Sequence, residues 1–175
     1  MNDIVGGKKM STDTIKKARA GDRQAFAQLY LQHKDSLYRY AYFKLGNAHD
    51  AQDAVADCVA EAYAGISRLK SEKAFVSWLF QILYRKCCAI LSRNSARKDM
   101  LSLDENGDLP VNDDHLAPEL EEALSLLSAE VKDIVLLSVI SGYKTREIAE
   151  MLGIKHSTVR SKLSRALAKM KNFLE

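Results

Sequence analysis

The sequence predicts an all-α protein of two small helical domains joined by a flexible acidic linker. Apolar residues recur at helical spacing along both halves of the 175-residue chain, and strand-like alternation is scarce. The two prolines, Pro110 and Pro118, fall in a stretch without periodicity that contains Asp-Glu-Asn-Gly-Asp and Asn-Asp-Asp. We therefore expect an N-terminal tail over residues 1–13, a first domain over 14–98, the linker over 99–118 and a second domain over 119–175.

The charged residues are strongly segregated, although the net charge is only +3. Residues 68–98 hold eight Lys and Arg against one acid, Glu72. Residues 99–122 hold nine Asp and Glu and no Lys or Arg, whereas residues 144–175 hold eight Lys and Arg against three Glu. Two basic blocks separated by an acidic one indicate two nucleic-acid contacts. An extended linker of about 20 residues reaches roughly 70 Å, which spans two DNA turns of about 34–36 Å each.

Composition argues against several other classes of protein. No apolar run reaches the ~20 residues needed to span a membrane, and residues 1–10 lack the apolar core of a signal peptide. Cys58, Cys87 and Cys88 lie in apolar helical patterns and fit no metal or disulfide spacing, so we expect them to pack in a core. The sequence shows no histidine cluster, phosphate-binding loop or nucleophile–base pair. We therefore expect a cytoplasmic protein without membrane insertion, metal, cofactor or enzymatic activity.

Helix boundaries in the first domain are marked by breaks in the pattern. Gly21 ends a first helix, and Asp22 is placed to cap the next, which runs to a Gly-Asn pair. A long helix then covers residues 48–69, with an apolar stripe on one side and acids on the other. After a polar break at residues 70–74, a strongly apolar helix covers about residues 75–93.

The second domain contains a pattern typical of a helix-turn-helix over residues 145–165. Gly153 separates two short amphipathic helices, and its permissive backbone suits a sharp turn between them. Lys155 stands at the N-cap of the second helix, where it caps poorly, whereas Ser128 is well suited to cap an earlier helix. The outward side chains of the second helix can contact phosphates and base edges in a major groove: Ser157, Arg160, Ser161, Ser164 and Arg165. The alternative is an ordinary helical hairpin with a solvated basic face.

An ordered set of short motifs resembles the sigma-70 family of bacterial transcription initiation factors. The resemblance is to the compact extracytoplasmic-function (ECF) group, which has only a region 2 and a region 4 domain. It covers about residues 14–98 and 119–174. The motifs are Ala20-Gly-Asp-Arg-Gln-Ala-Phe26, Leu37-Tyr-Arg-Tyr-Ala41, Leu45-Gly-Asn47, Asp50-Ala-Gln-Asp53, Phe75-Val-Ser-Trp-Leu79, Leu127-Ser-Ala-Glu130 and the helix-turn-helix.

The resemblance implies that the long acidic helix binds the clamp helices of the largest RNA polymerase subunit. Without the resemblance, a solvated acidic face is the simpler interpretation. Three positions depart from the family pattern, because Gln52, Ala56 and Val59 stand where Glu, Gln and a bulky aromatic residue are usual. The candidate polymerase-binding residues are Asp50, Gln52, Asp53, Asp57 and Glu61.

The resemblance also implies that the polar break at residues 70–74 captures a flipped base of the −10 promoter element. Lys70, Ser71, Glu72 and Lys73 can supply hydrogen bonds. Trp78 can stack on a base, although its place on an apolar helix face favours the core. Cations farther along the same helix can contact the backbone of the opened strand: Arg85, Lys86 and Arg93.

The helix-turn-helix is then expected to bind the −35 element as duplex DNA. The candidate contacts to its bases or phosphates are Lys155, His156, Ser157, Thr158, Arg160, Ser161, Lys162 and Arg165.

Together these features predict a sigma factor that joins core RNA polymerase, directs it to a class of promoters and helps to open the DNA. The resemblance implies core polymerase, promoter DNA and an anti-sigma factor as partners. Two alternatives remain: a helix-turn-helix regulator that binds palindromic DNA without polymerase, and a module that docks its basic helices on an acidic partner.

Overall fold

The structure of the protein, a computed structural model, describes residues 12–100 and 118–175. Of these residues, 86% are helical and none lies in a β-strand, which confirms the predicted all-α class. Most of the predicted tail and linker lies outside the described ranges. Thr12, Asp13, residues 99–100 and Pro118 are the exceptions, and all of them are helical. The predicted boundaries of the tail and the linker therefore cut one or two residues into helices.

Four helices form the first domain: α1 (Thr12–Arg19), α2 (Arg23–Leu45), α3 (Ala48–Gly65) and α4 (Phe75–Met100). Two 3-10 turns, Ile66–Arg68 and Glu72–Ala74, lie between α3 and α4. The break predicted at Gly21 is confirmed. Asp22 caps α2 by accepting the N–H groups of Gln24 and Ala25 at 2.9 and 3.0 Å.

Helices α3 and α4 differ from their predicted lengths. α3 ends at Gly65 rather than Leu69, because the chain tightens there into the first 3-10 turn. α4 continues past Arg93 to Met100. Its apolar face ends near Ile90, but the residues that follow include neither Gly nor Pro, so the helix propagates into the basic stretch.

The core of the first domain lies where α2, α3 and α4 meet, and α1 packs on α2. α3 contributes small residues such as Ala51, Ala54 and Ala62, which are fully buried and let its neighbours approach closely. The largest fully buried side chains of this domain come mainly from α2 and α4: Leu29, Leu37, Tyr40, Tyr42, Phe75, Phe80, Ile82 and Leu83.

Two cysteines belong to this core. Cys58 and Cys87 are fully buried, and Cys58 lies 3.5 Å from the carbonyl oxygen of Leu79, to which its thiol donates. Burial raises the pKa of each of these two thiols to about 12. Cys88 is half-buried, and no group of metal-ligating side chains occurs in the part of the chain that the structure describes. Cys58 and Cys87 are therefore packing residues, as the sequence predicts.

One segment within the described ranges, Glu72–Arg97, has the length and hydropathy of a membrane-spanning helix. Several of its apolar side chains, however, are buried in the protein, among them Leu79, Leu83 and Cys87. Arg85 and Lys86 interrupt the apolar sequence. We therefore interpret α4 as the core helix of the bundle.

Four helices also form the second domain: α5 (Pro118–Ser125), α6 (Ala129–Val139), α7 (Thr145–Leu152) and α8 (His156–Leu174). α8 packs on the other three helices. Ser128 stands at the N-cap of α6, as predicted, but its side chain makes no capping hydrogen bond. The buried core of this domain includes Leu124, Ile134, Leu137, Ile148, Val159 and Ala166.

The two domains touch through α6, which packs against α2. Lys44 of α2 forms an ion pair with Asp133 of α6, and the two side chains are only 5% and 16% exposed. The same ammonium group lies 4.8 Å from the centroid of the Tyr84 ring. A second contact joins α4 to the loop before α7, where the Tyr143 hydroxyl donates to the carbonyl oxygen of Ser77.

Candidate nucleic-acid and polymerase interfaces

Helices α7 and α8 form a helix-turn-helix around Gly153. This residue has φ 67°, the left-handed conformation that a glycine adopts at low cost. The N–H of Ile154 bonds to the carbonyl oxygen of Ala149 at 3.1 Å and closes the turn. Ile148 of α7 and Val159 of α8 are fully buried, so the two helices are fixed to each other by a shared core. The predicted turn is therefore present.

The outer face of α8 is polar and exposed. Ser157, Arg160, Ser161 and Ser164 are exposed, and together they line one shallow surface beside Thr145. Lys155 is exposed at the N-terminus of the helix, where its side chain makes no capping bond. An exposed face of hydroxyl and guanidinium groups at the start of a recognition helix suits contacts to base edges and phosphates. We call Ser157, Arg160, Ser161 and Ser164 the reading face.

Besides Lys155, four of the predicted contacts to the −35 element lie off the reading face or are partly used inside the protein. His156 is half-buried, with its Nε2 atom 2.8 Å from the Thr145 hydroxyl, so it ties α8 to α7. Thr158 is half-buried as well. Lys162 forms an ion pair with Glu130 of α6. Arg165 is exposed, but it lines the groove beside Lys162 and Lys169 on the other side of α8.

A cavity lies between the two domains, beside the break between α3 and α4. Its volume is about 550 Å³. From the first domain it is lined by Lys70 and Ser71 of the break and by Ser77, Trp78 and Gln81 of α4, with Arg68 and Leu69 at its side. Trp78 is half-buried, and its ring packs against Gly65. The tryptophan therefore shares its surface between the core and the cavity wall, where an aromatic face can stack on a base.

The second domain closes part of the same cavity. Glu147, Glu150 and Met151 of α7 line it opposite Lys70 and Trp78. The Glu147 carboxylate also accepts the backbone N–H of Lys144 at 2.7 Å, which helps to cap α7. In this arrangement the cavity wall contains carboxylates, which repel a phosphate backbone.

Several other residues predicted at the −10 site are engaged in ion pairs. Glu72 points to α1, where its carboxylate lies 2.6 Å from the Arg19 guanidinium. Arg85 and Lys86 both pair with Glu61 of α3, at 2.8 and 2.7 Å. Lys73 and Arg93 are exposed.

These ion pairs join Glu61, predicted to bind polymerase, to Arg85 and Lys86, predicted to bind DNA. Lys86 and Arg85 lower the pKa of Glu61, and Glu61 in turn raises the pKa of Lys86. Asp50 likewise accepts a hydrogen bond from Asn94 at 2.9 Å. The acidic side of α3 therefore faces α4 at Asp50 and Glu61. Sequence spacing alone gave no sign of this.

Asp53, Asp57 and Gln52 remain exposed on α3. Asp53 lies 3.7 Å from His49, one helical turn away. Gln52 lies on a different side of the helix, where it lines a groove of about 510 Å³ between α2 and α3. The other lining residues of this groove are Tyr30, Lys34, Asp35, Tyr38, Val55, Ala56 and Val59.

The α2 side of this groove was missed in the sequence. Tyr30, Lys34 and Tyr38 are spaced by four residues, which places them on one helix face, and this spacing is the signal that could have revealed them. Ser164, which the sequence places among the outward side chains of the second helix, also lies on the reading face.

Comparison with known protein families gives two matches that together cover most of the described chain. Residues 29–97 match the family described as Sigma-70 region 2, and residues 118–170 match the family described as Sigma-70, region 4. The first match contains α3, the break at residues 70–74 and most of α4, and the second contains the helix-turn-helix. α1 lies outside both.

Relatives of known function point the same way. The chain is 32% identical over 159 residues to the ECF RNA polymerase sigma factor SigM of Mycobacterium tuberculosis, which covers 89% of this chain and 80% of SigM. It is 30% identical over 142 residues to the RNA polymerase sigma factor SigV of Bacillus subtilis, covering 79% of this chain and 84% of SigV.

A solved structure shares the fold. It is the sigma factor RpoE of Bartonella quintana, in complex with the anti-sigma factor NepR, with a TM-score of 0.72 and 21% identity over 86% of this chain and 97% of the other. Two domains of the expected kind in the expected order, together with relatives at this identity, establish the family. The chain belongs to the sigma-70 family and is an ECF RNA polymerase sigma factor.

Proposed function

We propose that this sigma factor holds promoter DNA at two points, with α8 on the −35 duplex and the cavity beside residues 70–74 on a base of the −10 element. The observation that carries the proposal is that one chain presents both an exposed reading face and, away from it, a cavity lined by Lys70, Ser71 and Trp78. The first suits intact duplex DNA and the second suits an unstacked base.

At the −35 element, the reading face supplies the specific contacts. Arg160 can form paired hydrogen bonds to a guanine edge, whereas Ser157, Ser161 and Ser164 can contact bases or phosphates. Lys155, at the start of α8, is placed to meet a phosphate, and there the helix dipole adds to its positive charge. Arg165 contributes to the phosphate contacts from the flank of the helix.

At the −10 element, the cavity takes the flipped base. Lys70 and Ser71 supply hydrogen bonds to the base edge, and the exposed part of Trp78 supplies a stacking surface. The exposed Lys73 and Arg93 contact the backbone of the opened strand. Arg85 does the same, because its side chain is 63% exposed even while it pairs with Glu61. Binding energy gained by the base in the cavity offsets the stacking that it loses in the duplex.

For polymerase binding, we propose that the groove between α2 and α3 receives the clamp helices of the largest subunit. The groove combines apolar walls from Val55, Ala56 and Val59 with polar groups at its rim, which suits an amphipathic helix. Gln52 lies in the groove, and Asp53 and Asp57 lie on the exposed face of α3 beside it. Asp50 and Glu61 support this surface through their contacts to α4.

We also propose an anti-sigma factor as the regulatory partner. RpoE of Bartonella quintana, which shares the fold, was solved in complex with one. The sigma-70 family acts in transcription initiation, and we propose that this chain acts by binding alone, in the cytoplasm, without catalysis of its own. The flexible acidic linker stays a prediction, because residues 101–117 lie outside the described ranges.

Reconstitution with core RNA polymerase tests the proposal. Promoters selected from genomic fragments by the reconstituted holoenzyme should share two elements and yield run-off transcripts of defined length. The free protein should bind the same fragments far more weakly. Tight binding of the free protein to palindromic sites, with no stimulation of transcription, would instead establish the helix-turn-helix regulator.

A further inference from the structure

The segment proposed to capture the −10 base makes few local hydrogen bonds. Its 3-10 turn, Glu72–Ala74, follows Ser71, whose side chain makes no capping bond. The local backbone bonds at its ends are those of Leu69 to Ile66 and of Ala74 to Ser71, both at 3.1 Å, and that of Phe75 to Glu72. A short 3-10 turn with so few bonds depends on tertiary contacts for its conformation.

Helix α1 supplies such contacts. It packs against both 3-10 turns, and two of its own side chains, Ile15 and Ala18, are buried. From its last residue, the Arg19 guanidinium forms an ion pair with Glu72 at 2.6 Å, across 53 positions of the chain. Both side chains are partly buried, at 31% and 24% exposure. The Nε atom of Arg19 is buried and makes no hydrogen bond within the described residues, so the guanidinium relies on this carboxylate to offset its lost hydration.

The ion pair and the cavity lie on opposite sides of the same segment. Lys70 and Ser71 line the cavity, whereas Glu72 does not and instead faces α1. Fixing Glu72 therefore fixes the position of the two residues immediately before it. The match to Sigma-70 region 2 begins at residue 29. Helix α1, which holds Glu72 in place, therefore lies outside the matched part of the chain.

We propose that Arg19 and Glu72 are positioning residues, which hold Lys70 and Ser71 where the −10 base is captured and so determine how well the cavity distinguishes that base. The proposal rests on the proposed function of the cavity. Glu72, which the sequence predicts as a hydrogen-bonding residue for the base, instead supports the base-binding segment from the side that faces α1.

Charge exchange tests this role. The variants are Arg19→Glu, Glu72→Arg and the double exchange, each reconstituted with core polymerase. Open complexes are measured by permanganate reactivity of unpaired thymines, on a selected promoter and on a copy with one −10 base replaced. Each single variant should lose about fivefold to tenfold in open complexes, as expected for breaking a contacting pair, and should discriminate less between the two promoters. The double exchange should recover most of the open complexes and most of the discrimination between the two promoters.

Lys17→Glu serves as the matched control, because Lys17 is exposed on α1 and undergoes the same change of charge. It should behave as the wild type. Helical content and core binding, measured for all variants, separate misfolding from mispositioning. If Glu72→Arg alone loses discrimination while Arg19→Glu keeps it, Glu72 contacts DNA directly and the proposal is wrong. A wild-type holoenzyme that opens no promoter would instead overturn the proposed function of the cavity.

Discussion

Arg160 and Lys162 are two cations of α8 that the sequence does not distinguish. Arg160 is exposed on the reading face, whereas Lys162 is half-buried and paired with Glu130. The difference arises because α6 packs along one side of α8, a tertiary contact that no local pattern encodes. The two residues therefore provide a matched comparison between a proposed DNA contact and an internal ion pair.

Arg160→Ala should weaken binding of the holoenzyme to promoters by about 1–3 kcal/mol and relax selectivity at one −35 position. Lys162→Ala should leave promoter affinity nearly unchanged and lower the free energy of unfolding by no more than about 1 kcal/mol, as for other partly exposed ion pairs. Filter binding to promoters with single −35 substitutions and urea unfolding measure the two effects. Equal losses of promoter affinity would contradict the assignment.

The buried thiols of Cys58 and Cys87 make stability depend on alkaline pH. Burial raises the pKa of each thiol to about 12 in the folded protein, whereas an unfolded chain ionises them near 8.5. Their contribution to stability is complete below pH 8.5 and is lost as the pH rises toward 12. The free energy of unfolding should therefore fall across pH 9–11, by about 1.4 kcal/mol per pH unit for each thiol.

Urea unfolding at several pH values measures this slope. In the double variant Cys58→Ala, Cys87→Ala, the slope should become shallower, although the protein is less stable throughout because of the cavities left behind. Tyr40, whose pKa is also raised by burial, leaves a residual slope near pH 10 and above. An unchanged slope in the double variant would show that the two thiols are not protected in the folded core.

At the scale of elements, capping separates two helix starts that look equivalent in the sequence. Asp22 bonds to two backbone N–H groups of α2, whereas Ser128 at the start of α6 bonds to none. Asp22→Ala should cost about 1 kcal/mol of stability, and Ser128→Ala should cost less than about 0.5 kcal/mol. Thermal unfolding followed by circular dichroism compares them. A larger loss at Ser128 would contradict the capping geometry.

The sequence predicts most of the elements because their breaks are chemically marked. Gly21, Gly153 and the polar run at residues 70–74 each interrupt a regular apolar pattern, and each lies at or beside a helix end in the structure. The end of α4 lacks such a mark, which is why its extension to Met100 was not predicted. The ion-pair partners of the side chains could not be predicted either. Glu61 pairs with Lys86, and Glu72 with Arg19, because segments distant in sequence pack against each other.

At the scale of the whole molecule, the packing of α6 on α2 places α7 beside the cavity. Glu147 and Glu150 of α7 line it together with Lys70 and Trp78, and their carboxylates repel a phosphate backbone. We therefore expect the second domain to move away when a DNA strand binds at the cavity. Lys44 and Asp133, which are both largely buried, form the ion pair that opposes this separation.

Asp133→Ala should open the free protein. Removing the carboxylate leaves the Lys44 ammonium, only 5% exposed, without its partner and costs the packed arrangement about 3–5 kcal/mol. Small-angle X-ray scattering should then show a larger radius of gyration with unchanged helical content. Tyr143→Phe, which removes a single hydrogen bond at about 1 kcal/mol, should have a smaller effect in the same direction. If both variants keep the radius of gyration of the wild type, these contacts do not hold the domains together.

The two-point grip is tested most directly by run-off transcription from four templates, with the −35 element intact or replaced and the −10 base intact or replaced. The wild-type holoenzyme should lose transcription when either element is replaced. Arg160→Ala should lose transcription on the intact template and show no further loss when the −35 element is replaced, while its sensitivity to the −10 base persists. If Arg160→Ala loses as much on templates without the −35 element as on the intact promoter, α8 does not read that element and the account is wrong.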